Sequence, residues 1–167
     1  MARIIVSENI NLEDAGSDPD SWFGRISDPD RAGWAEAGRA EAVRSAAMLM
    51  GRRTYEWLAP RWPGRTGEWA DRLNSMPKFV VSSTLESPAW SGTTVLSGDV
   101  ASVVGKLKAE IDGDIVVPGS AQLVRTLLEH DLVDELQVFV FPFLAGNWRR
   151  TGAEKIGDGV TLLSFQK

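Results

Sequence analysis

The chain has 167 residues, 43% hydrophobic and 25% charged, which suits a single globular domain over 1–167 and excludes wholesale disorder. Eighteen Lys and Arg against twenty-three Asp and Glu leave a net charge of −5, so nucleic acid is not an expected partner. The absence of cysteine excludes disulfides, thiolate nucleophiles and thiolate metal sites, and one histidine, His130, excludes a multi-histidine metal site within the chain.

In chain order, the first segment has no charged region leading into a long apolar core, so residues 3–6 read as a strand rather than a signal peptide. Residues 11–31 are rich in Asp, Gly, Pro and Ser yet hold Trp22 and Phe23, the composition of a site-forming loop. Ala-rich spacing with Trp34 and Val43 predicts a helix over 31–45, feeding a strand at 47–50. A short helix at 54–58 is stopped by Pro60, and a second aromatic loop, 59–67, carries Trp62. Residues 68–74 form another short helix, and Pro77 opens a strand at 79–82. Val100, Val103, Val104, Leu107 and Ile111 make a helical stripe over 100–111. A strand at 115–117 leads to a second striped helix over 120–129, with Leu123, Val124, Leu127 and Leu128. Strands at 136–141 and, weakly, 160–165 complete the pattern.

Several of these strands are continuous apolar runs, as expected of strands covered on both faces. Strands alternating with helices predict an α/β domain with a largely parallel sheet. No apolar run reaches the roughly 18 residues a membrane span needs, and the chain reads as a soluble, cytoplasmic protein.

Ligands of open α/β sheets bind beyond the carboxyl ends of the strands. Three such corners are rich in small, polar or cationic residues. The first is Gly51, Arg52, Arg53 and Thr54, where glycine permits a tight turn, Thr54 can cap the next helix, and the arginines offer forked donors to phosphate. The second is Ser82, Ser83 and Thr84. The third is Pro118, Gly119, Ser120, Ala121 and Gln122, which opens a helix and presents free N–H groups. Each alone is consistent with an ordinary turn or N-cap, and neither the Rossmann glycine fingerprint nor a P-loop occurs. Their coincidence in one domain describes a surface suited to a diphosphate with an additional phosphate.

The segment from Ala47 to Glu56, the segment from Asn74 to Leu85, and the run from Asp114 through Gly119, Ser120, Leu123, Val124 and Leu127 to Leu136 occur in a characteristic order. In these the sequence resembles the dihydrofolate-reductase-like family that includes the reductase domain of bacterial riboflavin biosynthesis enzymes, nearly throughout. The resemblance implies a three-layer αβα domain with a central mixed, mostly parallel sheet, and an NADPH site. It implies that Gly51, Arg52, Arg53 and Thr54 hold cofactor phosphates, that Ser82, Ser83 and Thr84 meet the adenosine side and its 2′-phosphate, and that Pro118, Gly119, Ser120, Ala121 and Gln122 cradle the pyrophosphate. The family commonly carries Leu-Asp-Gly after the first strand, where this chain has Leu12, Glu13 and Asp14.

The expected activity is NADPH-dependent hydride transfer to a small heterocyclic or carbonyl substrate; the alternative is a non-catalytic nucleotide- or ligand-binding protein on the same scaffold. Hydride transfer to C=N or C=O needs a proton donor. With cysteine absent and His130 at a helix end, the candidates are Glu13, Asp14, Tyr55 and water. His130 reads as an exposed helix C-cap. Trp22, Trp34, Trp57, Trp62 and Trp69 read as core and loop packing, or as the walls of a flat pocket. The apolar strand over 132–141 fits the core or a homodimer surface.

Overall fold

A computed structural model describes residues 1–12, 20, 23–141 and 148–167. Its main sheet has the strand order β4-β3-β2-β5-β1-β6, where β1 is Ile4–Asn11, β2 Ser45–Gly51, β3 Lys78–Val81, β4 Thr93–Leu96, β5 Asp114–Pro118 and β6 Glu135–Phe141. The pairs β1/β5, β5/β2, β2/β3 and β3/β4 are all parallel. The helices are α1 (Asp28–Arg44), α2 (Arg52–Leu58), α3 (Glu68–Ser75), α4 (Val100–Glu110) and α5 (Ala121–Glu129).

Alternation along the strands builds two cores. Ala47 and Leu49 of β2 and Ile115 and Val117 of β5 point to one face, where Val104 and Leu107 of α4 and Leu123, Val124 and Leu127 of α5 cover them. Met48 and Met50 of β2 and Val116 of β5 point to the other, against Tyr55, Trp62, Leu73 and Trp90. The expected three-layer α/β architecture is present, and the central strands β2 and β5 carry continuous apolar runs because both of their faces are covered.

The helix starts follow local chemistry. α1 begins at Asp28, three residues before the apolar periodicity suggests, because Ser27 caps it: its Oγ accepts from Asp30 N–H at 3.3 Å, with Pro29 in the first turn. Asp99 caps α4 by accepting from Ser102 N–H at 2.9 Å. At the C-terminus of α3 the fully buried Lys78 donates through Nζ to the carbonyls of Leu73 (2.7 Å), Asn74 (3.1 Å) and Met76 (2.7 Å), with the Trp90 ring 4.8 Å away. Gly38 of α1 lies against Trp69, where a Cβ would come within 2.6 Å of the ring.

The chain divides into two compact units, Met1–Glu8 with Ser27–Gln137 and Asn9–Ile26 with Val138–Lys167. The second contains an antiparallel hairpin of β7 (Arg149–Ile156) and β8 (Val160–Gln166), turning through Gly157 at φ +64°. Composition signals β8 but not β7, whose charged residues are almost all exposed. Composition also misses β4, a four-residue strand at the sheet edge.

Candidate functional site

The order β3-β2-β5 puts the carboxyl ends of three parallel strands side by side. β2 runs into α2 on one face of the sheet, and β5 into α5 on the other, so the chain parts between them. An open cleft of about 640 Å³ lies there. Gly51, Arg52, Arg53 and Thr54 line it from the first corner, Ser82, Ser83 and Thr84 from the second, and Ser120, Ala121 and Gln122 from the third.

Ser120 ties two corners together. Its backbone is left-handed, φ +69° and ψ +47°, and its side chain does not cap α5. Instead Ser120 Oγ accepts from Gly51 N–H at 3.0 Å and donates to Thr54 Oγ1 at 2.8 Å. Behind it, Gly119 N–H donates to the Ser7 carbonyl at 2.9 Å, anchoring the loop to β1. The first intrahelical bond of α5 is Val124 N–H to the Ser120 carbonyl, 2.9 Å. The N–H groups of Ala121, Gln122 and Leu123 therefore have no intrahelical acceptor, and all three residues line the cleft, a set of donors suited to an anion.

The second corner is held by Ser82, whose Oγ accepts from Thr84 N–H (3.2 Å) and Leu85 N–H (3.0 Å). That turn ends β3 at Val81, one residue earlier than its apolar pattern suggests. Arg52 bridges the first and second corners: Nε donates to Glu56 at 2.7 Å and Nη1 to Thr84 Oγ1 at 2.6 Å. Arg53 is exposed and makes no ion pair among the described residues.

The RibD C-terminal domain family matches residues 14–166. The chain belongs to that family. Among solved structures, a protein from Shewanella sp. PV-4 named for riboflavin biosynthesis is similar, with a TM-score of 0.64 and 20% identity over 99% of this chain and 98% of that one. Dihydrofolate reductase from Enterococcus faecalis, complexed with NADP(H) and RAB-propyl, is similar with a TM-score of 0.56 and 13% identity over 98% of this chain and 92% of that one. No curated protein matches the sequence. The fold is thus dihydrofolate-reductase-like and of reductase type, as the sequence resemblance implies.

Within this RibD C-terminal domain the three corners come together, but some residues stand differently from expectation. Thr54 does not cap α2, which starts at Arg52 with Gly51 as N-cap; its hydroxyl serves Ser120 instead. Pro118 ends β5 and, like Gly119, supports the cleft without lining it. Tyr55 is turned away from the cleft: it is 5% exposed, inside the second core, with its hydroxyl accepting from Trp90 N–H at 3.1 Å. α2 places Tyr55 on the core side and Arg52 and Glu56, four apart, on the cleft side. Glu13, Asp14 and Trp22 lie outside the described residues.

Trp62 is buried, its ring 4.9 Å from that of Trp69, which in turn meets Trp34 edge-on at 5.8 Å, so these three pack on one another. His130 is the exposed C-cap of α5. Val81, Val100, Leu123, Thr126 and Glu56 also line the cleft; the sequence marks Val100 and Leu123 as helix-stripe residues, and none of the five as a site residue. Glu56 alone had a legible signal, its four-residue spacing from Arg52. Two further carboxyls, Glu8 and Glu41, are raised above the usual range by burial; at Glu41 a hydrogen bond from Ser7 and the Arg44 charge oppose the shift. Neither lines the cleft.

Proposed function

We propose that the cleft holds NADPH and that the protein is an NADPH-dependent reductase of a small heterocyclic or carbonyl substrate. The observation that carries this reading is the convergence of three strand-to-helix corners, each with anion donors, on one cleft. The N–H groups of Ala121, Gln122 and Leu123 suit a pyrophosphate, where many parallel donors and the helix end stabilise negative charge. Arg52, Arg53, Ser83 and Thr84 suit the additional 2′-phosphate, because a guanidinium matches a phosphate edge with two hydrogen bonds. The volume lies in the range of cofactor sites, about 300–1,000 Å³.

When bound, the reduced nicotinamide supplies the hydride; the chain binds, orients and excludes water. The proton falls to Glu13, Asp14 or a water they hold, because the Tyr55 hydroxyl is inside the core. A non-catalytic binding protein on the same scaffold is the second reading, favoured by Glu13 and Asp14 standing where the family commonly has Asp-Gly. Exposed Leu136 and Val138 on β6 support association as a homodimer.

Titration with NADPH while tryptophan emission is followed tests the site. Quenching with energy transfer to the nicotinamide is expected; no response at submillimolar NADPH refutes the reading. Oxidation of bound NADPH by candidate carbonyl and heterocyclic acceptors then separates reductase from binder.

A further inference from the structure

Glu56 is the one carboxylate among the described residues of the cleft. Its Oε1 accepts from Arg52 Nε at 2.7 Å, and both side chains are 48% exposed. As a helix-stabilising pair this arrangement is poorly ordered. α2 runs from Arg52 to Leu58, so the cation sits at the positive end of the helix and the carboxylate lies towards its negative end. Basic before acidic at i,i+4 is also the weaker orientation, and exposed pairs of this kind contribute little to stability. The pair is better placed to act on what enters the cleft. Arg52, held between Glu56 and Thr84, carries a counter-charge before any ligand arrives, whereas its neighbour Arg53 carries none among the described residues. Two arginines and one glutamate leave a single net positive charge at the corner where an additional phosphate, close to a dianion, would bind.

We propose that Glu56 sets the cofactor preference, as a competing anion that weakens binding of a 2′-phosphorylated dinucleotide relative to its unphosphorylated counterpart. The proposal rests on the NADPH reading above. A phosphate entering beside Arg52 meets the Glu56 carboxylate and shares its guanidinium with it. A bare ribose hydroxyl meets no such repulsion, and a carboxylate is an acceptor it can use. The site is thereby tempered, accepting both dinucleotides where the arginines alone would strongly favour the phosphorylated one.

The test is Glu56→Gln, which keeps the shape and removes the charge. A unit charge a few ångströms from a dianion across screened, half-exposed surroundings corresponds to about a three- to tenfold change in affinity. The NADPH Kd of the variant is therefore expected to fall about three- to tenfold at low ionic strength, with NADH changed by less than about twofold and the gain shrinking as salt is raised. An unchanged NADPH-to-NADH ratio, or weaker NADPH binding, overturns the proposal; weaker binding would mean that Glu56 serves to orient Arg52. Thermal melts of both proteins check that folding is intact, and Glu56→Ala repeats the measurement should Gln distort the corner. Wild-type protein that binds neither nucleotide overturns the NADPH reading and the role of Glu56 with it, whereas wild-type binding with an unresponsive variant overturns only the latter.

Discussion

Replacing Ser120 by Ala and by Gly separates two opposing contributions at the same residue. Alanine deletes the hydroxyl, and with it the 3.0 Å bond from Gly51 N–H and the 2.8 Å bond to Thr54 Oγ1. A hydrogen bond is worth about 1 kcal/mol net, and a part-buried amide left without its acceptor costs about another 1 kcal/mol. The left-handed backbone, φ +69°, stays strained because alanine keeps a Cβ. Ser120→Ala should therefore lose about 2–3 kcal/mol. Ser120→Gly loses the same bonds but regains about 1 kcal/mol, since glycine occupies the left-handed region freely. Urea unfolding should rank wild type, then glycine, then alanine, with the alanine variant melting about 5–10 °C lower. Both variants should also weaken NADPH, because the first and third corners are no longer joined. An alanine variant as stable as wild type refutes the bridging role assigned to Ser120, and one more stable than the glycine variant refutes the cost assigned to its left-handed backbone.

Arg53→Ala should weaken NADPH about tenfold at low salt and NADH by less than about twofold; calorimetric titration giving equal losses would remove Arg53 from 2′-phosphate recognition. Burial, with the Arg72 charge adding, lowers the Lys78 pKa from 10.5 to about 8. Between those values the unfolded chain holds a proton the folded protein has released, so stability should rise with pH across this window, by at most about 3 kcal/mol at about 1.4 kcal/mol per pH unit. Lys78→Met should lack that rise, and parallel stability profiles for the two proteins would contradict the assignment. Gly38→Ala gains about 1 kcal/mol of helix propensity yet drives a Cβ to 2.6 Å from a Trp69 ring already packed against Trp34 and Trp62. Overpacking costs about 1–3 kcal/mol, so a lower melting temperature is expected, and a higher one would show that the Trp69 ring yields freely.

The architecture was legible where chemistry is local. Apolar runs at β2 and β5 announced strands covered on both faces, and the stripes of α4 and α5 announced which helix faces meet them. The missed strands fail for an equally local reason: Thr93–Leu96 is short and begins with two threonines, and Arg149–Ile156 is charged at Arg149, Arg150, Glu154 and Lys155 and exposed almost throughout, so neither presents an apolar face to read. Tyr55 shows a different limit. With cysteine absent and His130 at a helix end, elimination leaves Tyr55 among the candidate proton donors, but elimination does not show which way a side chain packs. Spacing alone leaves Tyr55 within reach of the Arg52 side of α2; packing decides, and the second core takes it up while Arg52 and Glu56 line the cleft. The conformation of Ser120 had no signal at all, since left-handed backbone at a non-glycine residue is imposed by the Gly51 and Thr54 groups it satisfies.

The convergence of the three corners follows from strand order, which the sequence does not spell out. β5 returns to lie between β1 and β2, and β3 pairs on the far side of β2, so the corners after β3, β2 and β5 belong to three consecutive strands. All three strands are parallel, so their carboxyl ends face the same way. Register keeps them level: Gly51 pairs with Val81, and the Met48–Val116 pair carried three residues forward sets Gly51 beside Gly119. Strands lie about 4.8 Å apart, so the outer two corners are separated by about 10 Å. That is a span over which one extended, multiply phosphorylated ligand can be gripped at several points. Had β5 paired outside β4 instead, the same three motifs would have sat on separate parts of the sheet, each an ordinary turn. The site is a property of the order in which the strands pair, and the Ser120 bridge between β2 and β5 is the place where that order becomes a hydrogen bond.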